Sequence, residues 1–163
     1  MIPKTLLAAS AALMLAGCCT AHCEPAPEEC KQYRQDIQSV LPGFAEFGTM
    51  AGRRVQLLDR NGKAIGSLLL APAGKRRRQE GYNDVINTAV VVDPENRIAG
   101  VVLGENKETP RFLARLRKAG YLTRWNGLTP AEAAKRKVDA VTRCTYSSKA
   151  IGSEVETILD AHK

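Results

Sequence analysis

The segment Val138–Ser148 contains the side chains best suited to hold a phosphate. Thr145, Ser147 and Ser148 stand at its end, where hydroxyl side chains commonly cap the first turn of a helix. Four apolar residues then follow at helical spacing, namely Ile151, Val155, Ile158 and Leu159. The pattern predicts an amphipathic helix whose N-terminus offers unpaired backbone N–H groups and a partial positive charge to an anion. A capped helix that binds nothing explains the same residue types.

This segment also resembles the signature of the FMN-binding domain family, which is Asp-x-x-(Ser/Thr)-Gly-Ala-(Thr/Ser)-x-(Ser/Thr). The matching residues are Asp139, Thr142, Thr145 and Ser147. The family includes the flavin-carrying subunits of bacterial sodium-pumping and Rnf-type electron-transfer complexes, and many small exported proteins. In its covalent members, a separate flavin transferase esterifies FMN through its phosphate to the threonine that matches Thr145. The resemblance therefore implies FMN as the cofactor and Thr145 as its anchor.

Two positions depart from that signature, because Arg143 replaces its glycine and Cys144 replaces its alanine. Glycine adopts backbone conformations with positive φ that arginine resists. An arginine beside the acceptor could instead form a charge-assisted hydrogen bond to a phosphate. Two cases therefore stay open: FMN esterified to Thr145, and FMN bound without a covalent bond.

Three further stretches resemble the family, and the similarity extends from roughly Val55 to Leu159. These stretches are Gly81-Tyr82, Asn106–Pro110 and Trp125–Gly127. The resemblance implies that one group of residues lies against the flavin ring system, comprising Gly81, Tyr82, Glu108, Thr109 and Pro110. It implies that a second group surrounds the phosphate, comprising Thr142, Arg143, Cys144, Thr145, Tyr146 and Ser147.

Two pairs of strands are expected to form the sheet that positions these residues. Residues 55–58 and 64–70 are apolar runs joined by Asn61-Gly62, which is a strong hairpin signal. Residues 85–92 and 98–103 form a second apolar pair, joined by a turn at Asp93–Asn96. We expect this second hairpin at the centre of the sheet, and we expect a loop over residues 44–52.

Helices are predicted before, between and after these strands. Residues 28–41 have an apolar face, and Pro42-Gly43 ends the pattern. Thr109-Pro110 is typical of a helix start and Gly120 of a helix end, while Thr129–Glu132 matches a capping box. Residues 121–127 are predicted to be a loop. Hairpins packed with helices indicate an α+β fold with an antiparallel sheet, which the resemblance also implies.

Residues 1–17 have the features of an export signal. Lys4 precedes an apolar run that is too short to cross a bilayer comfortably. The run ends in Leu15-Ala16-Gly17-Cys18, which resembles a bacterial lipobox, whose cysteine is lipidated and becomes the mature N-terminus. We therefore expect lipidation at Cys18, a tether over residues 18–29, and an FMN-binding domain with an N-terminal helix over residues 30–163. An ordinary signal peptide cut near Ala21 is the alternative.

A lipid anchor would hold the protein on a membrane of the bacterial cell envelope, facing the periplasm. Four cysteines would remain besides Cys18, namely Cys19, Cys23, Cys30 and Cys144. An even number in an oxidising compartment permits disulfides, with three possible connectivities. The chain has only two histidines and no Cys-x-x-Cys pair, which disfavours a metal site.

The chain is basic, with a formal net charge of +7, or +6 after loss of a leader that contains Lys4. A basic surface attracts phosphates, anionic lipid or nucleic acid. Aromatic residues make up only 5% and no nucleic-acid-binding motif occurs, so nucleic acid is disfavoured as a partner. The basic run at residues 75–78 is expected to be solvated, to steer a phosphate-bearing ligand or to hold anionic lipid head groups.

The chain has no catalytic triad and no carboxylates at acid–base spacing, so we expect an electron carrier rather than an enzyme acting alone. Its expected partners are the flavin transferase, the membrane and a separate redox protein. Two other interpretations remain. One is a lipoprotein that keeps the fold without the flavin and serves as a binding or assembly module. The other is a disulfide-stapled envelope module whose basic face meets anionic lipid or polymer.

Replacing Cys18 by serine tests the anchor. Serine lacks the thiol that carries the acyl chain, so the C18S protein should move from the membrane fraction to the soluble fraction. Cell fractionation with immunoblotting measures this shift, and intact-mass analysis of the wild-type protein should show an acylated N-terminal Cys18. An unmodified N-terminus at a later residue would contradict the prediction.

Overall fold

A computed structural model describes residues 24–74 and 81–163 of the 163-residue chain. The predicted signal peptide, the lipidation site Cys18 and the basic run at residues 75–78 lie outside these residues. Cys19 and Cys23 also lie outside them.

The described chain forms an antiparallel sheet of six strands that are adjacent in chain order. The strands are β1 (Glu24–Pro25), β2 (Glu46–Ala51), β3 (Arg54–Leu58), β4 (Ala64–Leu69), β5 (Thr88–Val92) and β6 (Ile98–Leu103). The α-helices are α1 (Arg34–Val40), α2 (Pro110–Lys118), α3 (Pro130–Ala133) and α4 (Thr145–Ala161), with 3₁₀ helices at Glu28–Tyr33 and Tyr121–Thr123. The predicted α+β class is confirmed.

The sheet is covered by apolar side chains on both faces. Val90 and Val92 of β5 belong to a cluster with the buried face of α4, whereas Ala89 and Val91 belong to a second cluster with α1 and the first 3₁₀ helix. All five residues of β5 are buried. Successive strand residues point to opposite faces, so burial on both sides explains the unbroken apolar run in this strand.

The predicted loop at residues 44–52 is wrong, because β2 occupies most of it. β2 joins β3 through a two-residue turn in which Gly52 and Arg53 both have positive φ, at 55° and 68°. This is the geometry of a type I′ hairpin turn, which favours Asn and Gly and rarely contains arginine. Arg53 is held there because its side chain donates to the Ala71 carbonyl at 2.9 Å and to Glu29 at 2.7 Å.

The two predicted hairpins, β3–β4 and β5–β6, are confirmed, but the expected central position of the second is wrong. β6 is the last strand of the sheet within the described residues. Its outer edge is covered, because the Leu103 N–H donates to Asp36 at 3.1 Å and the Ile98 N–H donates to the Leu128 carbonyl at 2.8 Å. Covering an edge in this way satisfies its free backbone groups and prevents pairing with another chain.

The helix boundaries follow local signals closely. Pro110 is the first residue of α2, Gly120 follows α2 with φ of 64°, and Thr129 and Glu132 form the predicted capping box. The predicted helix at residues 28–41 divides into the 3₁₀ helix and α1. Residues 121–127, predicted as a loop, begin with the second 3₁₀ helix. Within residues 24–74 and 81–163, no helix has the length and apolar character needed to cross a membrane.

Replacing Asp36 by alanine should lower the free energy of unfolding by about 1–3 kcal/mol, since partly buried hydrogen bonds to charged groups are lost together. Asp36 accepts from the Leu103 N–H of β6 and pairs with Arg117 of α2 at 2.7 Å. Asp160, which pairs only with the exposed Lys163, is the matched control and should change stability by less than about 0.5 kcal/mol. Urea denaturation measures both, and equal effects would contradict the prediction.

Candidate functional site

The turn before α4 adopts a backbone conformation that glycine normally supplies. Arg143 has φ of 65°, in the left-handed region. The turn is held by its neighbours, since the Cys144 N–H donates to the Val141 carbonyl at 3.0 Å and the Val141 N–H donates to the Ser148 hydroxyl at 3.1 Å. A left-handed conformation costs a non-glycine residue roughly 1–2 kcal/mol. The surrounding contacts, rather than any preference of arginine, therefore impose this shape.

The buried side of α4 fixes the helix start. The hydroxyl of the fully buried Ser148 lies 2.8 Å from the Cys144 carbonyl. The Tyr121 hydroxyl donates to the Ser148 carbonyl at 2.6 Å. Burial raises the pKa of Tyr121 to about 12, so its phenol stays protonated and keeps donating at neutral pH.

The first turn of α4 has no side-chain cap. Cys144 is the N-cap residue, and its side chain forms no hydrogen bond that caps the helix. The expected capping by Thr145, Ser147 and Ser148 is therefore wrong, because the Ser148 hydroxyl turns back to Cys144 and the Ser147 hydroxyl donates elsewhere. Among the described residues, no acceptor meets the backbone N–H of Thr145, Tyr146 or Ser147. Since this turn also has no acidic residue, its N–H groups are suited to bind an anion.

A cleft of about 210 Å³ opens beside this turn. Its lining residues are Tyr82, Phe112, Arg143, Cys144, Thr145, Tyr146 and Ser147. The Tyr82 ring packs edge-on against Phe112, with ring centroids 5.7 Å apart. Tyr82 and Tyr146 are 63% and 68% exposed, and they are the two exposed large hydrophobic residues of the described chain. The cleft therefore combines aromatic surface with free N–H groups and an exposed guanidinium.

A buried carboxylate lies behind the cleft and joins two segments. Glu108 is 5% exposed, and its Oε2 accepts a hydrogen bond from the Ser147 hydroxyl at 2.8 Å. Its Oε1 accepts from the Asn83 backbone N–H at 3.1 Å. Because the Ser147 hydroxyl is committed to Glu108, the group that Ser147 can offer to an anion is its backbone N–H. The two bonds fix the turn at residues 81–84 against the start of α4.

Gly81 is required by the position of this carboxylate. A Cβ atom at residue 81 would overlap Glu108 Oε1 and would lie 2.9 Å from the Asp84 carbonyl oxygen. The Gly81 N–H donates to the same carbonyl at 2.9 Å, which closes the turn. Lys107 adds an exposed ion pair with Asp84 at 2.8 Å, and this pairing lowers the pKa of the Asp84 carboxyl. Gly81 therefore permits the approach of Glu108 to the turn.

The structure brings most of the predicted site residues together. Six of the eleven line the cleft, namely Tyr82, Arg143, Cys144, Thr145, Tyr146 and Ser147. Gly81 and Glu108 lie behind it through the contacts described above. Thr109 is linked to this group through the Asn83 side-chain amide at 3.4 Å, and Pro110 begins α2. Thr142 is exposed in the preceding turn and does not line the cleft.

Sequence reasoning missed two residues of the site. Phe112 is not among the predicted site residues, yet its ring lines the cleft and its carbonyl lies 3.7 Å from the Cys144 sulfur. Asn83 was not singled out, although its side-chain amide donates to the Lys107 carbonyl at 3.0 Å. The sequence signal for Phe112 was its place in the first turn of α2, because the starts of α2 and α4 meet at the cleft.

Both described cysteines are free, buried thiols. Cys144 packs in the cluster with α4, whereas Cys30 packs in the cluster on the opposite face of the sheet, so these two cannot pair. Burial is the main cause that raises the pKa of Cys30 to about 11, which keeps this thiol protonated. In the described part of the chain, no group of His, Cys, Asp and Glu could hold a metal ion.

Comparison with known proteins identifies one family. The model of the FMN-binding domain family matches residues 81–160, which include the turn at 81–84, Glu108, the cleft and most of α4. The match begins later than the resemblance expected from Val55 onwards. Neither the curated proteins nor the solved structures contain a significant match to the chain.

Replacing Arg143 by glycine should raise the free energy of unfolding of the ligand-free protein by up to about 1 kcal/mol. Glycine removes a left-handed penalty of roughly 1–2 kcal/mol, and its larger unfolded-state entropy offsets part of that gain. Arg53→Gly is the matched control, because Arg53 has a similar φ but also donates to Ala71 and Glu29. It should be neutral or destabilising. Thermal denaturation compares the two, and destabilisation by Arg143→Gly would contradict the prediction.

Proposed function

We propose, on the premise that residues 81–160 belong to the FMN-binding domain family, that this protein binds FMN at the start of α4 and carries electrons in the bacterial cell envelope. The observation that carries the proposal is the uncapped first turn of α4 beside Arg143 and Thr145. This arrangement favours an anion such as the FMN phosphate. The anion would meet three free N–H groups, the positive end of a 17-residue helix and a guanidinium.

The backbone of Arg143 supports a phosphate site despite the missing glycine. Its φ of 65° is the conformation that a glycine at this position of the family signature permits. The turn therefore keeps its shape, and the substitution adds a cation next to the helix start. Cys144, which replaces the alanine of the signature, is only 4% exposed and packs as a small apolar residue against Phe112. Both departures are thus compatible with a bound phosphate.

Thr145 supplies the acceptor for a covalent bond in this proposal. It is exposed, lines the cleft and is the first residue of α4. A flavin transferase would form the phosphoester between its hydroxyl and FMN, and Arg143 and the free N–H groups would hold the phosphate. The same groups would bind the phosphate of FMN that is not esterified, so the two cases share one site and differ in one bond.

The aromatic part of the cleft suits the ring system. Tyr82, Phe112 and Tyr146 provide apolar ring surface, with Glu108 fixing the turn that carries Tyr82. The cleft is smaller than the roughly 300–1,000 Å³ typical of ligand pockets, so part of the FMN would stay exposed. Bound FMN would supply the electron-transfer chemistry, while these residues would orient it and exclude water from one side.

The envelope location rests on the sequence of the first 18 residues. An acylated Cys18 would anchor the protein to a membrane, and the tether over residues 18–29 would connect this anchor to the domain. Electrons would then pass between the flavin and a separate redox protein. A lipoprotein that keeps this fold without flavin is the alternative, and the following experiment separates the two.

Co-expression with a flavin transferase should yield a fluorescent band on a denaturing gel, and Thr145→Ala should abolish it. Alanine removes the hydroxyl that forms the phosphoester. Thr142→Ala is the matched control, because Thr142 is an exposed threonine three residues earlier that does not line the cleft. This variant should keep the band. Loss of the band in both variants would argue against Thr145 as the specific acceptor.

If the native protein holds flavin and denaturation releases it, the FMN is bound without a covalent bond. Arg143→Ala should then weaken FMN binding by roughly tenfold or more, since a hydrogen bond to a charged group is worth about 1.5–3 kcal/mol. Alanine keeps the left-handed penalty, so this variant isolates the guanidinium from the backbone effect tested by glycine. Absence of flavin in every preparation, even with excess FMN, would reject the electron carrier and leave the flavin-less module.

A further inference from the structure

The positive charge of the chain is concentrated in one sequence segment, which contains most of the residues that line the cleft. Ten of the 24 lysines and arginines lie within residues 110–149, but only two of the 17 aspartates and glutamates do. This segment therefore carries a formal charge of +8, while the rest of the chain carries −1 of the total of +7. It comprises α2, α3, the turn with Arg143 and the first turn of α4. The net charge is thus a property of one part of the molecule.

One side of α2 carries a basic stripe of two exposed residues and one half-buried residue. Arg111, Arg115 and Lys118 fall within roughly 60° around the helix axis, given about 100° per residue. Leu116, which is fully buried, lies on the opposite side. The stripe begins next to Phe112, whose ring lines the cleft. None of the three cations has an ion-pair partner among the described residues.

The start of α4 extends this charge. Arg143 is exposed in the cleft, and Lys149 is exposed one turn beyond Thr145. Neither forms an ion pair with a described residue. We call Arg111, Arg115, Lys118, Arg143 and Lys149 the basic rim. The exposed basic residues 135–137 add further charge to the same helical layer.

The N-terminal segment of the described chain has the opposite formal charge. Residues 24–36 contain four acidic and two basic residues, and they pack on the other face of the sheet from α4. Three of these four carboxylates are held in ion pairs, whereas the cations of the basic rim have no ion-pair partner among the described residues. The unpaired positive charge of the rim therefore favours an acidic partner that approaches the cleft.

We propose that the basic rim is the docking surface for an acidic redox protein that exchanges electrons with this domain. The inference rests on the proposed function. Positive and negative surfaces steer two proteins together and orient them, at rates that fall as salt increases. Two exposed tyrosines, Tyr82 and Tyr146, line the cleft together with Arg143, and tyrosine and arginine are residue types enriched in the energetic centres of interfaces. Docking there would bring the partner to the exposed part of the flavin.

The test uses a plant-type [2Fe–2S] ferredoxin, an acidic one-electron carrier, as the probe. The double variant Arg111→Glu/Lys118→Glu reverses two exposed charges of the rim that do not line the cleft. The matched control is Arg60→Glu/Lys63→Glu, which makes the same change of charge at the exposed β3–β4 turn. Isothermal titration calorimetry of the folded proteins, purified in the presence of FMN, measures ferredoxin binding at low ionic strength. Absorbance of the same preparations records their flavin content separately.

The rim variant should weaken ferredoxin binding by roughly tenfold or more at about 0.01 M salt, and the control by less than about twofold. The difference should disappear near 1 M salt, where charges are screened beyond about 3 Å.

Equal weakening by the two variants, or no wild-type binding, would overturn the docking surface. Rim-dependent binding to phosphatidylglycerol vesicles without ferredoxin binding would assign the rim to lipid instead. Normal flavin content in a protein that fails to bind ferredoxin would leave the FMN proposal intact, whereas rim-dependent ferredoxin binding without flavin would reject only the FMN proposal.

Discussion

The buried Glu108 carboxylate is the contact on which the geometry of the cleft depends. It joins Ser147 to Asn83, and the residues it bridges are 39 and 25 positions away in the sequence. A buried carboxylate is costly unless its oxygens accept hydrogen bonds, so its two donors must remain in place for the fold to tolerate it. The same requirement explains Gly81, where any side chain would displace an oxygen of Glu108. Loss of this carboxylate would separate the turn that carries Tyr82 from the helix start that carries Thr145.

The site also departs from what stability alone would favour. The first turn of α4 lacks a capping side chain, although a serine or threonine cap would contribute roughly 1 kcal/mol. Arg143 holds a conformation that costs a similar amount. Elsewhere in the same chain, α3 has a complete capping box and most turns with positive φ use glycine. Departures of this kind also occur elsewhere, since α2 starts without a side-chain cap and Arg53 has positive φ. At the start of α4 the two coincide, which fits a place where ligand binding competes with stability.

Local chemistry was the part of the structure that the sequence could predict. Pro110, Gly120 and the Thr129 capping box mark helix ends through short-range hydrogen bonds and steric limits, and each lies where its residue type predicts. Strand β2 was missed because Arg53 occupies a turn position that usually requires glycine or asparagine. Its conformation depends on contacts with Ala71 and Glu29, which are distant in the sequence.

The same limit applies to the site. The hydroxyl pattern at residues 145–148 predicted where α4 begins. Its prediction that these hydroxyls cap the helix was wrong, because tertiary packing determines their hydrogen-bond partners. Ser147 donates to Glu108, and only the folded chain brings that carboxylate within reach. The edge position of β6 depends likewise on Asp36, 67 residues away from Leu103. Motif residues were found through the family resemblance, whereas Phe112 and Asn83 required the three-dimensional arrangement.

The two apolar clusters on either face of the sheet have a consequence for the order of maturation. Each cluster is closed by the chain's own side chains, and no buried side-chain polar atom of the described residues lacks a partner. The cleft borders the α4 cluster at Cys144 and Phe112, which pack against their neighbours in the chain, so a cofactor is not needed to complete the interior. The polypeptide can therefore reach its folded state before any ligand enters the cleft, and a ligand would then meet a finished surface rather than an unstructured segment.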